Sequence, residues 1–158
     1  MAIVKVINTG MAVPSNKVER PPCPLITFDL PYITFYYNQK LLLYKTKTAE
    51  DDFEGIVGRM KEGLLAVLDH FYPLAGRITK DEEGALVVEC SGESLVGAEV
   101  IEAAVEGVTV DELAAGESAT GLLQELVPYT GIMNLEGLHR PLLAVQVTHS
   151  LSLSLSID

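Results

Sequence analysis

The sequence predicts a mixed α/β domain, on three observations. Residues 85–90 (ALVVEC) and 141–148 (PLLAVQVT) are short apolar runs of strand length. Phe53, Val57, Met60, Leu64, Val67 and Phe71 recur at alternating spacings of four and three, the signature of an amphipathic helix. Two matches to a capping box, Thr48-Ala-Glu-Asp51 and Thr109-Val-Asp-Glu112, mark helix starts by offering a threonine oxygen to free backbone N–H groups.

Taken in order, residues 3–7 (IVKVI) are β-branched and form a strand that Asn8, Thr9 and Gly10 bring to an end. Pro14, Pro21, Pro22 and Pro24 then force extended or turn geometry. Residues 33–45 (ITFYYNQKLLLYK) are aromatic-rich and suit a strand with a break near Asn38-Gln39. In the long helix Glu54, Arg59, Lys61 and Glu62 face water. Gly55, Gly58 and Gly63 each cost about 1 kcal/mol relative to alanine, so a closely approaching neighbour is the expected compensation. Pro73 marks the helix's end. Residues 77–90 read as a hairpin turning at Asp81-Glu-Glu-Gly84, and 97–105 as a further strand. A short helix follows Thr109, another turn or two surrounds Leu122, Leu123, Leu126 and Val127, and 141–148 suits a sheet interior.

Hydrophobic residues make up 48% of the 158, which excludes general disorder and points to apolar surface meant for something outside the chain. A formal charge of −11 excludes nucleic acid, whose phosphates need clustered Lys and Arg, and disfavours an anionic membrane surface. Cys23 and Cys90 stand far apart with no clustered histidine, so reduced thiols are expected, with no zinc site, no metal and no bound cofactor. No signal peptide and no spanning apolar run is present, and a cytoplasmic protein is the expectation.

Few residues carry chemistry. Gly92-Glu-Ser94-Leu-Val-Gly97 misses the nucleophile-elbow spacing by one position and reads as a turn beside a strand. Asp51-Asp52 and Glu82-Glu83 are adjacent pairs that point apart, unlike an acid–base dyad. His70 lies at the helix end, where the negative dipole pole favours an imidazolium; His139 is a loop residue; His149 ends the last apolar strand.

The stretch "HFYPLAGR" (70–77) resembles the signature of the plant BAHD acyltransferases, acyl-CoA-dependent enzymes that acylate alcohols and amines. "ITKDEEGALVVEC", "ELVPY" and "RPLLAVQVT" extend the likeness in order. "TFDLPYITFYYNQKLLLYK" and "LVPYTGIMNLEGL" are similar to the subgroup named defective in cuticular ridges, implicated in cutin assembly. The resemblance implies that residues 1–148 are the partial N-terminal domain of a chloramphenicol-acetyltransferase-like fold with two similar domains. It further implies acyl-CoA as co-substrate, a hydroxylated acceptor, and a His-x-x-x-Asp motif beyond "QVT" whose histidine acts as general base. A positioned imidazole accelerates such chemistry by about 10²- to 10⁴-fold, because a neutral hydroxyl is a poor nucleophile.

That motif is missing: four positions beyond His70, His139 and His149 stand Leu74, Leu143 and Leu153. No catalytic residue is assigned. Residues 149–158 (HSLSLSLSID) alternate Leu and Ser and read as an aberrant tail, produced by altered splicing, a frameshift or an erroneous gene reading. The 158-residue chain is therefore expected to be inactive. The resemblance leaves an acceptor-side wall at "LPYITFYY", with Pro31, Tyr32 and Thr34 as its carry-over positions; the residues themselves read equally well as alternate core positions of a strand. An alternative role is a non-catalytic fragment that pairs with a full-length relative, binds a hydrophobic ligand, or self-associates through exposed apolar surface.

Overall fold

Backbone pairing carries the first strand well past the expected break. In the computed structural model, which describes residues 3–15, 19–45, 52–116 and 120–151, β1 runs Ile3–Ala12. It pairs antiparallel with β5 (Ala98–Glu106), and the register shifts between Val6 and Asn8, leaving Ile7 as the extra residue of a bulge. Asn8, Thr9 and Gly10 all keep ladder partners, so turn-prone side chains are overridden by a long neighbouring strand. β6 (Ala144–Ser150) pairs parallel with β5, giving the order β1-β5-β6. A second sheet, β2-β4-β3, consists of β2 (Cys23–Pro24), β3 (Arg77–Lys80) and β4 (Leu86–Glu89).

The hairpin forms as expected. Asp81 closes its turn by accepting from the Glu83 and Ala85 N–H groups at 3.0 and 2.8 Å. Gly92–Ser94 is a 3-10 turn leading into β5, again as read from the sequence. β6 departs from expectation: it begins at Ala144 rather than Pro141, forms an edge among the described strands, and is half-buried throughout. It also continues through His149 and Ser150, and the Leu151 N–H donates to the Val105 carbonyl at 2.9 Å.

Strand alternation divides the larger sheet between two helical layers. On one face Ala98 and Val100 pack with Ala12 against α1 (Phe53–His70), whose Leu68 is completely buried. On the other, Val105 meets Val108, Leu113 and Leu126, bringing in α2 (Val110–Ala114) and α3 (Thr120–Glu125). The Thr109 capping box is complete: its hydroxyl accepts from the Glu112 N–H, and Glu112 reaches back to the Thr109 N–H at 2.7 Å.

α1 forms where periodicity placed it, with its apolar stripe rotated. Val57 and Leu68 are the buried positions, whereas Val67 and Phe71 are 47% and 62% exposed. Leu68 fits among Ala12, Ala75 and Ala98, residues small enough to admit it, and this turns Val67 outward. The N-cap is Asp52, accepting from the Gly55 N–H at 2.7 Å; the Thr48–Asp51 match lies outside the described residues. No neighbour crowds Gly58 or Gly63, contrary to the expected close approach; of the three, only at Gly55 would a Cβ meet other groups, the Asp52 cap and the Arg59 guanidinium. Lys61, expected to face water, instead lies over the sheet and pairs with Glu102 at 2.7 Å.

Candidate acceptor-side site

Residues 33–45 do not form the expected strand. Pro31 fixes its own φ near the helical value and lacks an N–H to contribute to a ladder. Leu30–Thr34 accordingly winds into a 3-10 helix, with the Tyr32 N–H donating to the Asp29 carbonyl at 3.0 Å. Upstream, the Asp29 carboxylate accepts from the Ile26 N–H at 2.9 Å, and downstream the Thr34 hydroxyl donates to the Pro31 carbonyl at 2.8 Å. Pro31, Tyr32 and Thr34 are thus brought together on one exposed turn, while Ile33 alone points into the core. The alternative reading, alternate core residues of a strand, is corrected by the same geometry.

The turn is anchored from far along the sequence. Asn134 Nδ2 donates to the Tyr32 carbonyl at 2.8 Å, and the Asn134 N–H donates to the Phe35 carbonyl at the same distance. Tyr36 makes a single bridge with Met133, and the Tyr37 N–H donates to the Ile132 carbonyl at 2.9 Å. Sequence reading missed Asn134, because nothing local ties it to a partner 102 residues away. Tyr32 itself is 61% exposed, its ring edge-on to Phe35 with centroids 5.5 Å apart. This gives an open ledge with one phenol, one hydroxyl already engaged and several apolar faces, suited to contacting an amphipathic molecule and unable alone to move a proton.

Behind the ledge lies a polar cluster. Tyr129 donates to Glu99 Oε2 at 2.6 Å, its ring lies edge-on to Tyr37 at 5.0 Å, and Arg140 stands 5.3 Å over it. Burial, and then the Glu99 carboxylate, push the Tyr129 hydroxyl well above its usual range; burial also raises Tyr37. Both phenols therefore stay protonated and neither serves as a base.

None of the three histidines makes a hydrogen bond or ring contact with the ledge. His70 ends α1 and is exposed, at the helix terminus as expected, and exposed His139 follows the 3-10 helix Asn134–Leu138. His149 lies on the α1 side of the larger sheet, opposite Ala104, with its ring 4.1 Å from that of Phe53 and its Nδ1 enclosed without a hydrogen-bond partner. Among the described residues no group of three or more His, Cys, Asp or Glu is arranged to hold a metal, and no helix is long and apolar enough to cross a membrane.

A partial α/β domain of this construction is found in a solved structure. Vinorine synthase superposes on 94% of the chain with a TM-score of 0.59 and 19% identity, the match covering 35% of that enzyme, which establishes the fold as part of a chloramphenicol-acetyltransferase-like domain. The Transferase family profile matches residues 2–157, and the chain belongs to that family, the BAHD acyltransferases. It is 53% identical over 131 residues to BAHD acyltransferase DCR of Arabidopsis thaliana, a match covering 78% of this chain and 27% of that protein. It is 33% identical over 116 residues to shikimate O-hydroxycinnamoyltransferase of Nicotiana tabacum, covering 72% of this chain and 24% of the relative. The chain thus spans roughly a quarter to a third of the proteins it resembles.

Proposed function

We propose that the lineage of this chain moves an acyl group from acyl-CoA to a hydroxylated acceptor, a cutin precursor, and that these 158 residues contribute part of the acceptor wall and do not by themselves transfer the acyl group. The observation that supports this is the ledge of Pro31, Tyr32 and Thr34, held open to solvent by Asn134 with no imidazole among its contacts. Esterification needs a base for the acceptor proton and donors for the tetrahedral oxyanion. His149 is turned against Phe53, so the chain supplies contact without proton transfer. A cytoplasmic protein using acyl-CoA as co-substrate fits this reading of the lineage.

The test has two arms. With a hydroxy fatty acid, the Tyr32 and Thr34 resonances should shift in a saturable way, and Tyr32→Ala should weaken that response several-fold. With acyl-CoA added, ester should not accumulate above the rate without protein. Turnover that disappears on substitution of His149 overturns the inactivity; silence at Tyr32 and Thr34 overturns the acceptor wall.

A second reading is favoured by the exposed apolar residues that flank the ledge in sequence: Phe28 is 81% exposed, Tyr44 76% and Leu42 65%. A surface of this kind serves a non-catalytic fragment that pairs with a full-length relative, captures a hydrophobic ligand or self-associates. Sedimentation that finds a monomer at all concentrations, indifferent to ligand and relative, argues against it.

A further inference from the structure

Cys23 and Cys90, remote in sequence, share one face of the small sheet. Cys23 stands opposite Val88 in the β2–β4 ladder, and Cys90 lies two residues beyond Val88, where strand alternation returns its side chain to the same side. Both pack in one apolar cluster with Ile78, Val88 and Tyr72. The Cys23 thiol donates to the Tyr72 hydroxyl at 3.9 Å, and the Cys90 thiol to the Val88 carbonyl at 3.5 Å. Burial, then the proximity of Cys23, push the Cys90 thiol up to about 12. Cys90 is only 1% exposed, whereas Cys23 is half-buried, so an oxidant in solution reaches Cys23 first.

We propose that this pair is a covalent modification site, closing into an intramolecular disulfide when the chain meets a small disulfide such as oxidised glutathione. Cys23 sulfur attacks the oxidant's S–S bond, forming a mixed disulfide and releasing one glutathione thiol, which carries the proton. Cys90 sulfur, giving up its proton in the slower step, then attacks Cys23 sulfur, and the second glutathione leaves as the thiol that takes that proton. Two protein thiols are oxidised and one oxidant disulfide is reduced, so the exchange balances.

Diagonal neighbours on an antiparallel pair have Cα atoms about 7–8 Å apart, and a disulfide accepts up to about 6.8 Å, so β2 must move by roughly 1 Å. That strand is an edge of two residues between Pro22 and the Leu25 link to Leu86, which permits such a shift. The bridge would fasten to β4 the segment that leads directly into the Pro31–Thr34 turn.

The experiment treats the purified 158-residue chain with oxidised glutathione and follows intact mass, a non-reducing peptide map and thermal unfolding. The expected result is loss of two hydrogens, a linked peptide pair containing Cys23 and Cys90, and a thermal midpoint higher by roughly 5 °C that a reductant reverses. Cys23→Ser and Cys90→Ala each abolish the linked peptides. A stable glutathione adduct on Cys23 with no internal link, a disulfide between two chains, or an unmodified protein overturns the proposal.

Discussion

The Tyr129 hydroxyl donates to Glu99 Oε2 at 2.6 Å from a backbone held at φ 59°, in the left-handed region that non-glycine residues rarely occupy. Such a conformation costs about 1–2 kcal/mol. The bond to a carboxylate, the edge-on contact with Tyr37 and the guanidinium of Arg140 over the ring offset that cost.

Removing only the hydroxyl tests this account. Tyr129→Phe should lower unfolding stability by roughly 1–3 kcal/mol at neutral pH, because the half-buried Glu99 carboxylate loses a donor. The pH dependence follows from the sign of the shift. A phenol whose folded-state value is raised above 10.0 contributes fully below that pH, and loses its contribution as pH climbs toward the folded value. Denaturant melts from neutral to alkaline pH should therefore show a smaller alkaline decline in the variant, with the remainder due to Tyr37, which is raised as well.

Lys61 and Glu102 make a comparable pair between α1 and the larger sheet. Glu102 Oε1 accepts from Lys61 at 2.7 Å and from Asn8 Nδ2 at 3.0 Å, and the Lys61 bond, foremost, holds the carboxyl below its usual value of 4.5. Stability from a depressed carboxyl is present above the unfolded value and is lost as pH falls through the folded one. Lys61→Met should cost about 1 kcal/mol at neutral pH, since Lys61 is partly exposed and screened. The gap between wild type and variant should then close as pH drops below about 4. A gap constant across that range would mean the loss is one of packing.

Glycines separate into two classes that substitution can distinguish. Gly97 sits at φ 83°, its N–H donates to the Ala75 carbonyl at 2.8 Å, and a Cβ there would run into the Ala12 backbone. Gly97→Ala should lose about 3 kcal/mol or more, by strain and by displacement of the β1–β5 edge. Gly58 and Gly63 meet open space on α1, so Gly58→Ala and Gly63→Ala should each gain about 0.5–1 kcal/mol. Thermal unfolding of the three variants side by side checks both directions.

The same contrast explains what was legible in the sequence. α1, the β3–β4 hairpin and the Thr109 cap rest on signals confined to neighbouring residues, and all three formed where spacing placed them. The rotation of the α1 stripe was not legible, because it depends on Ala12, Ala75 and Ala98 supplied by other elements. The aromatic run after Ile33 misled for a related reason. Its polar groups are satisfied across the chain: Gln39 Nε2 donates to the Pro128 carbonyl at 2.8 Å and the Tyr37 hydroxyl to the Pro141 carbonyl at 3.0 Å, where propensity alone supplies a strand. Pro31 was the one local sign that a helical turn would win, and it also shaped the exposed ledge. The Cys23–Cys90 pairing needed the β2–β4 register, which two strand residues cannot announce.

His149 gives the sharpest division between a structural and a chemical role. Its ring packs edge-on to Phe53 with centroids 4.1 Å apart, and Nδ1 is enclosed without a partner. A buried nitrogen that has given up water without a replacement bond costs about 1–3 kcal/mol. Phenylalanine keeps the aromatic contact and removes the nitrogen, so His149→Phe should leave the fold intact and raise stability by roughly 0.5–2 kcal/mol in urea unfolding. A histidine held ready to take a proton from an acceptor would behave otherwise. Its replacement would cost turnover while leaving stability unmoved, and a functional group kept at the expense of folding would be exposed to substrate instead of set behind α1. A stability loss above about 1 kcal/mol in the variant would mean that Nδ1 has a bonding partner in solution. His149 would then have to be reconsidered as a working group on β6.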